Sequence, residues 1–232
     1  MITIILHHTA LELINQAVCN VNHKAILNDA KRRNKKVKEI VLDISVHQAA
    51  IYPNELPFTG RPDLVHYFLL QYHHMMKILP ESITENITLY IHTRTDEIFL
   101  VPQSWRVPVH FIRFRGLIES LLIQKEIKFS EKDSIIVEKL TLSNLFLNVK
   151  PSRIINLTDK GDYNPQVIKN SLDTIRTPEQ VIFLIGGYQK GELSLDQLVN
   201  YPIENIKLIE KSTTAWMALT ILFSKILSKI EN

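Results

Sequence analysis

Short apolar runs alternate with segments whose hydrophobic residues recur at helical spacing, the order expected of an α/β chain. Candidate strands are 2–6 (ITIIL), 39–43, 87–92, 98–101, 135–140, 153–158, 181–185 (VIFLI) and 206–209. Most are β-branched and lack apolar/polar alternation, as expected of strands covered on both faces. Candidate helices span about 10–18, 24–35, 63–77, 111–124, 165–172, 194–199 and 214–230. Pro62 and Asp63 suit the first turn of the third. The last helix sets Ala215, Leu219, Leu222, Phe223, Ile226 and Ile230 on one stripe, which reads as core packing with a subunit interface as a second use. No repeat and no Pro/Gly/Ser-rich linker interrupts this order, so the reading is one domain with an insertion.

Composition narrows the class. The 232 residues are 45% hydrophobic and 22% charged, which excludes a largely disordered chain. The single cysteine, Cys19, excludes an intrachain disulfide or a Cys-based zinc site and reads as a small buried hydrophobe. No run approaches the ~18 apolar residues of a membrane span, and residues 1–8 read as a first strand rather than a signal peptide. A cytoplasmic protein is the expectation. The net charge of +3 is too small to name a partner, but its distribution is uneven. Residues 151–232 carry nine basic and nine acidic side chains, so the excess lies in residues 1–150. There, residues 31–38 hold six bases and no acid, which reads mainly as a helix end. Residues 98–125 carry Arg106, Arg113, Arg115 and Lys125 against Glu119 alone.

Candidate chemistry gathers at strand ends. Gly186-Gly187-Tyr188-Gln189-Lys190-Gly191 follows the strand 181–185 and uses three of six glycines. It is neither GxGxxG nor a Walker A loop, so dinucleotide and P-loop nucleotide binding are unsupported. Residues 157–161 and 208–213 also follow strands, and three such loops can converge at one sheet edge, where open α/β sheets bind ligands. Their Gly, Leu, Ile, Ser and Thr content, with few charges, suits an adenine and a thioether better than a triphosphate. Nine histidines invite a metal reading, but there is no HExxH and no matching carboxylate set, so no metal is expected. Asp43, Ser45 and His47 look like a triad fragment without its elbow and read as structural. Arg61 precedes a helix whose Asp63 can fix its guanidinium, and Arg106 and Arg113 flank Pro108; together they suit a rigid grip on an RNA backbone.

In these residues the chain closely resembles the small-subunit rRNA pseudouridine-N1-methyltransferases, the ribosome biogenesis family of the SPOUT superfamily, in a compact, archaeal-like form. The matching pieces run in family order: residues 41–47, 60–66, 89–93, 106–108 with 111–117, 184–191 and 214–216. The resemblance implies an α/β fold with a trefoil knot in about residues 151–232 of one domain covering 1–232, an inserted α/β extension, and a homodimer with the last helix in its interface. It implies S-adenosyl-L-methionine bound by Leu157, Thr158, Gly186, Gly187, Gly191, Leu208, Ile209, Glu210, Lys211, Ser212 and Thr213. It implies small-subunit rRNA gripped by Arg61, Arg106 and Arg113, with Asp63 orienting Arg61. Asp63 is also a candidate proton acceptor, although its pairing with Arg61 lowers its basicity. Two departures stand out: Val109 occupies the place of a further family arginine, and residues 79–84 lack the family's usual Ser-Pro-Leu-Asn. The rival reading is an RNA-binding assembly factor that keeps the fold without the activity.

Overall fold

The computed structural model describes residues 1–131, 133–177, 179–190, 195, 198 and 200–230. A seven-stranded sheet runs in the order β6-β3-β2-β1-β8-β7-β9. Its parallel part is β1 (Ile2–Thr9), β2 (Ile87–Thr93), β7 (Arg153–Tyr163), β8 (Val181–Gly186) and β9 (Ile203–Lys207). β3 (Glu97–Leu100) turns back on β2, and β6 (Glu138–Lys139) extends that antiparallel edge. β4 (Glu126–Lys128) and β5 (Ser134–Ile136) pair separately. β1 sits in the middle with nearly every side chain buried, as its unalternating apolar run requires.

Helices cover both faces. α3 (Pro62–Ile78) and α8 (Ala215–Ile230) pack on each other, with Phe223 edge-on to Tyr72 at 6.0 Å. The α8 stripe therefore serves the chain's own core: Leu219, Leu222, Phe223 and Ile226 are buried. α5 (Phe111–Gln124) docks beside α3, where His66 stacks on Phe114 at 4.4 Å and its Nε2 lies 2.7 Å from the Pro108 carbonyl. Thus His66 ties α3 to α5 and to the loop before it. α1 (Lys24–Arg33) ends on Asn34 in the left-handed conformation, and α7 (Pro165–Leu172) matches its expected span. Cys19 is buried and its thiol donates to the Asn15 carbonyl.

Four expectations change. Residues 10–18 form no helix, because the Asn15 side chain bonds the backbone of Leu13 and Ala17 and competes with helical pairing. The strand expected at 39–43 contributes only an isolated bridge at Val41; Asp43 then caps a short helix, α2 (Ile44–His47), by accepting from the Ser45 amide. The 135–140 run breaks into β5 and β6. An additional helix, α6 (Leu142–Val149), is capped by the Thr141 hydroxyl. The remaining short helix is α4 (Glu81–Thr84). The helix expected at 194–199 falls largely outside the described residues.

The basic run 31–38 is partly committed within the fold. Glu119 is fully buried and accepts from Arg33, from Lys35 at 2.6 Å and from the Val41 amide at 3.1 Å. Arg115, grouped by sequence with the exposed arginines, is itself buried and pairs with Asp43 at 3.3 Å.

Candidate active site

The carboxyl ends of β1, β8, β7 and β9 lie side by side, and a cavity of ≈ 1160 Å³ opens there. That exceeds the few hundred to roughly 1,000 Å³ of an ordinary small-molecule site. It accommodates a nucleoside-sized cofactor with room for a second group.

Three local devices shape it. β7 slips in register against β9: Leu157 and Asp162 both fall opposite Ile206, so residues 158–161 leave the ladder and enter the cavity wall. The Asp159 carboxylate then reaches the loop after β9, accepting from the Ser212 hydroxyl and from the Thr213 amide at 3.4 Å. The loop after β8 is held against β1: the Gly187 amide donates to the His7 carbonyl, and its own carbonyl accepts from the Ala10 amide, both at 2.9 Å. A Cβ on Gly187 would sit 2.6 Å from Thr9 Cγ2 and 2.9 Å from its Cα, so only glycine allows this approach. The far side of the loop bonds residue 57, whose carbonyl accepts from the Gln189 amide at 3.1 Å.

The Arg61 guanidinium enters from the start of α3. Nε and Nη2 donate to the two oxygens of Asp63, each at 2.8 Å, and this bonding to the carboxylate holds the guanidinium above its ordinary pKa. The backbone below is pinned as well: the Arg61 amide donates to the Ala10 carbonyl at 2.9 Å, and the Gly60 amide donates to Glu12 at 2.8 Å. Glu12 is buried, and burial pushes its carboxyl up to about 7.

Of the residues singled out by sequence, Arg61, Leu157, Thr158, Gly186, Leu208, Ile209, Lys211, Ser212 and Thr213 line this one cavity. Gly187 stands behind it as a spacer, and Glu210 is exposed and outside it. Gly191 lies outside the described residues. Asp63 acts on the cavity through Arg61. Arg106 and Arg113 are exposed beyond the rim, on the loop and helix that dock on α3, and neither forms an ion pair among the described residues.

The walls also hold Tyr188 and Trp216, which the sequence named only within longer motifs, and His7 and Lys207, which it did not assign to the site. The signal for His7 was available, since two histidines directly follow the apolar run of β1. The expectation of few charges in these loops fails. Arg61, Lys160, Lys190, Lys207 and Lys211 line the cavity against, among the described residues, the carboxylate of Asp159 alone. The neutral sum of residues 151–232 hides this, because Asp162, Asp173, Glu179, Glu204 and Glu210 lie outside the cavity lining. Among the described residues no His, Cys, Asp or Glu group is arranged to hold a metal ion, and no helix is long and apolar enough to cross a membrane.

Comparison with known proteins agrees with the geometry. Residues 4–231 match the family described as EMG1/NEP1 methyltransferase. The chain is 34% identical over 202 residues to the ribosomal RNA small subunit methyltransferase Nep1 of Saccharolobus solfataricus, covering 86% of this chain and 84% of that one. It is 32% identical over 191 residues to the protein of the same name from Pyrococcus furiosus, covering 82% and 81%. The fold matches the crystal structure of Archaeoglobus fulgidus Nep1 bound to S-adenosylhomocysteine, with a TM-score of 0.82, 24% identity and 99% of both chains covered.

Proposed function

The chain belongs to the EMG1/NEP1 methyltransferase family, and on that footing we propose that it transfers a methyl group from S-adenosyl-L-methionine to N1 of a pseudouridine in small-subunit rRNA. The observation that carries this reading is the meeting of two sets of residues in one cavity: the strand-end loops suited to the cofactor, and an arginine locked by its neighbouring carboxylate.

When bound, the cofactor supplies a methyl group that is already electrophilic, so the protein's task is placement. Leu157, Ile185, Leu208 and Ile209 offer apolar walls for adenine and thioether, while Gly186 and the Thr158 and Ser212–Thr213 loops offer polar backbone. Asp159 fixes one of those loops by accepting from Ser212 and Thr213. Arg61 presents a guanidinium whose orientation Asp63 has already set, so gripping a flipped nucleotide costs little further ordering. Arg106 and Arg113, exposed on a separate loop and helix, suit the phosphates flanking that nucleotide. The whole chain acts as one domain with the knotted region at about 151–232, and two copies pair as a homodimer.

The test is mass spectrometry of a pseudouridine-containing rRNA hairpin incubated with the protein and isotopically labelled cofactor. One methyl on N1 is expected. Binding of the hairpin without methyl transfer would leave only the assembly-factor reading. Arg61→Ala abolishes transfer while S-adenosylmethionine binding, followed by calorimetry, survives; normal turnover by that variant would remove Arg61 from the site.

A further inference from the structure

The end of β1 is distorted in a way that the rest of the sheet does not need. The β1–β2 register slips between Leu6 and Thr9, and His8 adopts φ +48°, the left-handed region that a non-glycine residue enters at a cost. The other four non-glycine residues at positive φ among the described residues are three helix caps and Asp96 in the turn after β2. In a regular strand, neighbouring side chains point to opposite faces. Here the slip turns both imidazoles together, and His7 Nδ1 lies 2.8 Å from His8 Nδ1. Irregular strands of this kind recur beside active sites, where they re-aim a side chain.

At 2.8 Å the two nitrogens share one proton, one donating and the other accepting. His7 lines the cavity, opposite Gly186 in the sheet. His8 is half-buried and faces away from it, against His92, whose ring lies edge-on at 5.2 Å. The His8 amide donates to His92 Nδ1 at 3.4 Å, which leaves the proton of His92 on Nε2, donating to Asp96 at 3.2 Å. The Tyr188 ring covers His7 at 6.1 Å. The facing titratable and charged groups are thus His92, Asp96, Arg94 and Tyr188. Burial, with the neighbouring imidazoles, holds His7 well below its ordinary pKa, and burial with His92 holds His8 at about 4. Both rings are therefore neutral near pH 7, and with His7 Nδ1 donating to His8 Nδ1 the free lone pair of the pair is on His7 Nε2. Asp63, the other group considered for this task, has both oxygens committed to Arg61.

We propose that His7 is the proton acceptor of the methyl transfer and that His8 is the positioning residue that carries the proton onward. This deepens the reading of the site given above and rests on it. As the N1–CH₃ bond forms, the methyl–sulfur bond breaks with its electron pair staying on sulfur. The N1–H bond breaks with its pair staying on N1, and the proton passes to His7 Nε2. His7 Nδ1 then gives its own proton to His8 Nδ1, and His8 Nε2 releases one to water.

The variants are His7→Gln, which keeps hydrogen bonding without accepting a proton, and His8→Asn, since asparagine tolerates the left-handed backbone. Single-turnover transfer to the pseudouridine hairpin is expected to fall about 10²- to 10⁴-fold in H7Q, with S-adenosylhomocysteine affinity unchanged. In the wild type the rate falls in acid as the pair is protonated. In H8N that limb moves to higher pH, because His7 loses a neighbour that depresses its basicity; a purely structural role would not move it. An H7Q rate equal to wild type, or an unmoved limb in H8N, overturns the proposal. Imidazole ¹⁵N shifts of the wild type with S-adenosylhomocysteine and the hairpin read contact without turnover: His7 signals are expected to move, and unmoved signals overturn it. A wild type that methylates no pseudouridine hairpin fails the functional reading itself, whereas an active wild type with an equally active H7Q removes the histidine assignment alone.

Discussion

Glu12 is a carboxyl group held away from water under the arginine loop. One oxygen accepts from the Thr59 hydroxyl and the Gly60 amide, and the other has no partner among the described residues. Burial raises its pKa from 4.5 to about 7, so the folded chain holds this proton more tightly than the unfolded one. Unfolding releases it between those two values, and the stability contribution falls as pH rises through that window. The displacement is worth about 3 kcal/mol. E12Q keeps an oxygen for Thr59 and Gly60 and removes the ionisation. Relative to the wild type it is expected to gain about that much as pH goes from 5 to 8, read from urea denaturation at each pH. At this scale local chemistry was legible and distant pairing was not. Arg61 and Asp63 are two residues apart, and their bidentate pairing follows from spacing. The commitment of Arg33 and Lys35 to Glu119 joins residues 84 or more positions apart, which no local pattern reveals.

Gly187 carries the consequence of how two elements meet. The end of β8 touches β1 so closely that a methyl group overlaps the Thr9 backbone. Gly187→Ala is therefore expected to push the 186–190 loop out of place and weaken S-adenosylhomocysteine binding by about tenfold or more, the cost of overpacking a tight contact being about 1–3 kcal/mol. Calorimetry on the folded variant measures it. The elements themselves were largely legible where burial and periodicity agree, as in β1, β8, α3, α5 and α8. They were misread where polar side chains redirect the backbone, as Asn15 does in 10–18 and Asp43 does after Val41. The excursion of β7 had a faint mark in Gly161, where an added Cβ would lie 2.5 Å from the Ile206 amide nitrogen, but a lone glycine does not announce a register slip.

Over the whole molecule, charge is organised by folding rather than by sequence segment. Lysines from three strand-end loops join Arg61 around one cavity, while Arg106 and Arg113 stand outside with no internal partner among the described residues. Affinity for an RNA hairpin should therefore fall steeply with salt. Arg106→Ala and Arg113→Ala should each flatten the log affinity against log salt slope by about 1 and leave cofactor binding intact, as fluorescence anisotropy over a salt series reports. The sheet order has a consequence of another kind. β1 is made first, pairs with β2 on one side, and must wait for β8, residues 181–186, on the other. At 5–20 residues per second, the stretch between β2 and β8 takes roughly 5–20 s to synthesise. For that interval a strand destined for burial at the centre of the sheet has one edge open, a template for unwanted strand pairing. Translation speed across residues 94–180 thus becomes a determinant of yield, and the late arrival of β8 both closes the core and delivers the glycine loop of the cavity.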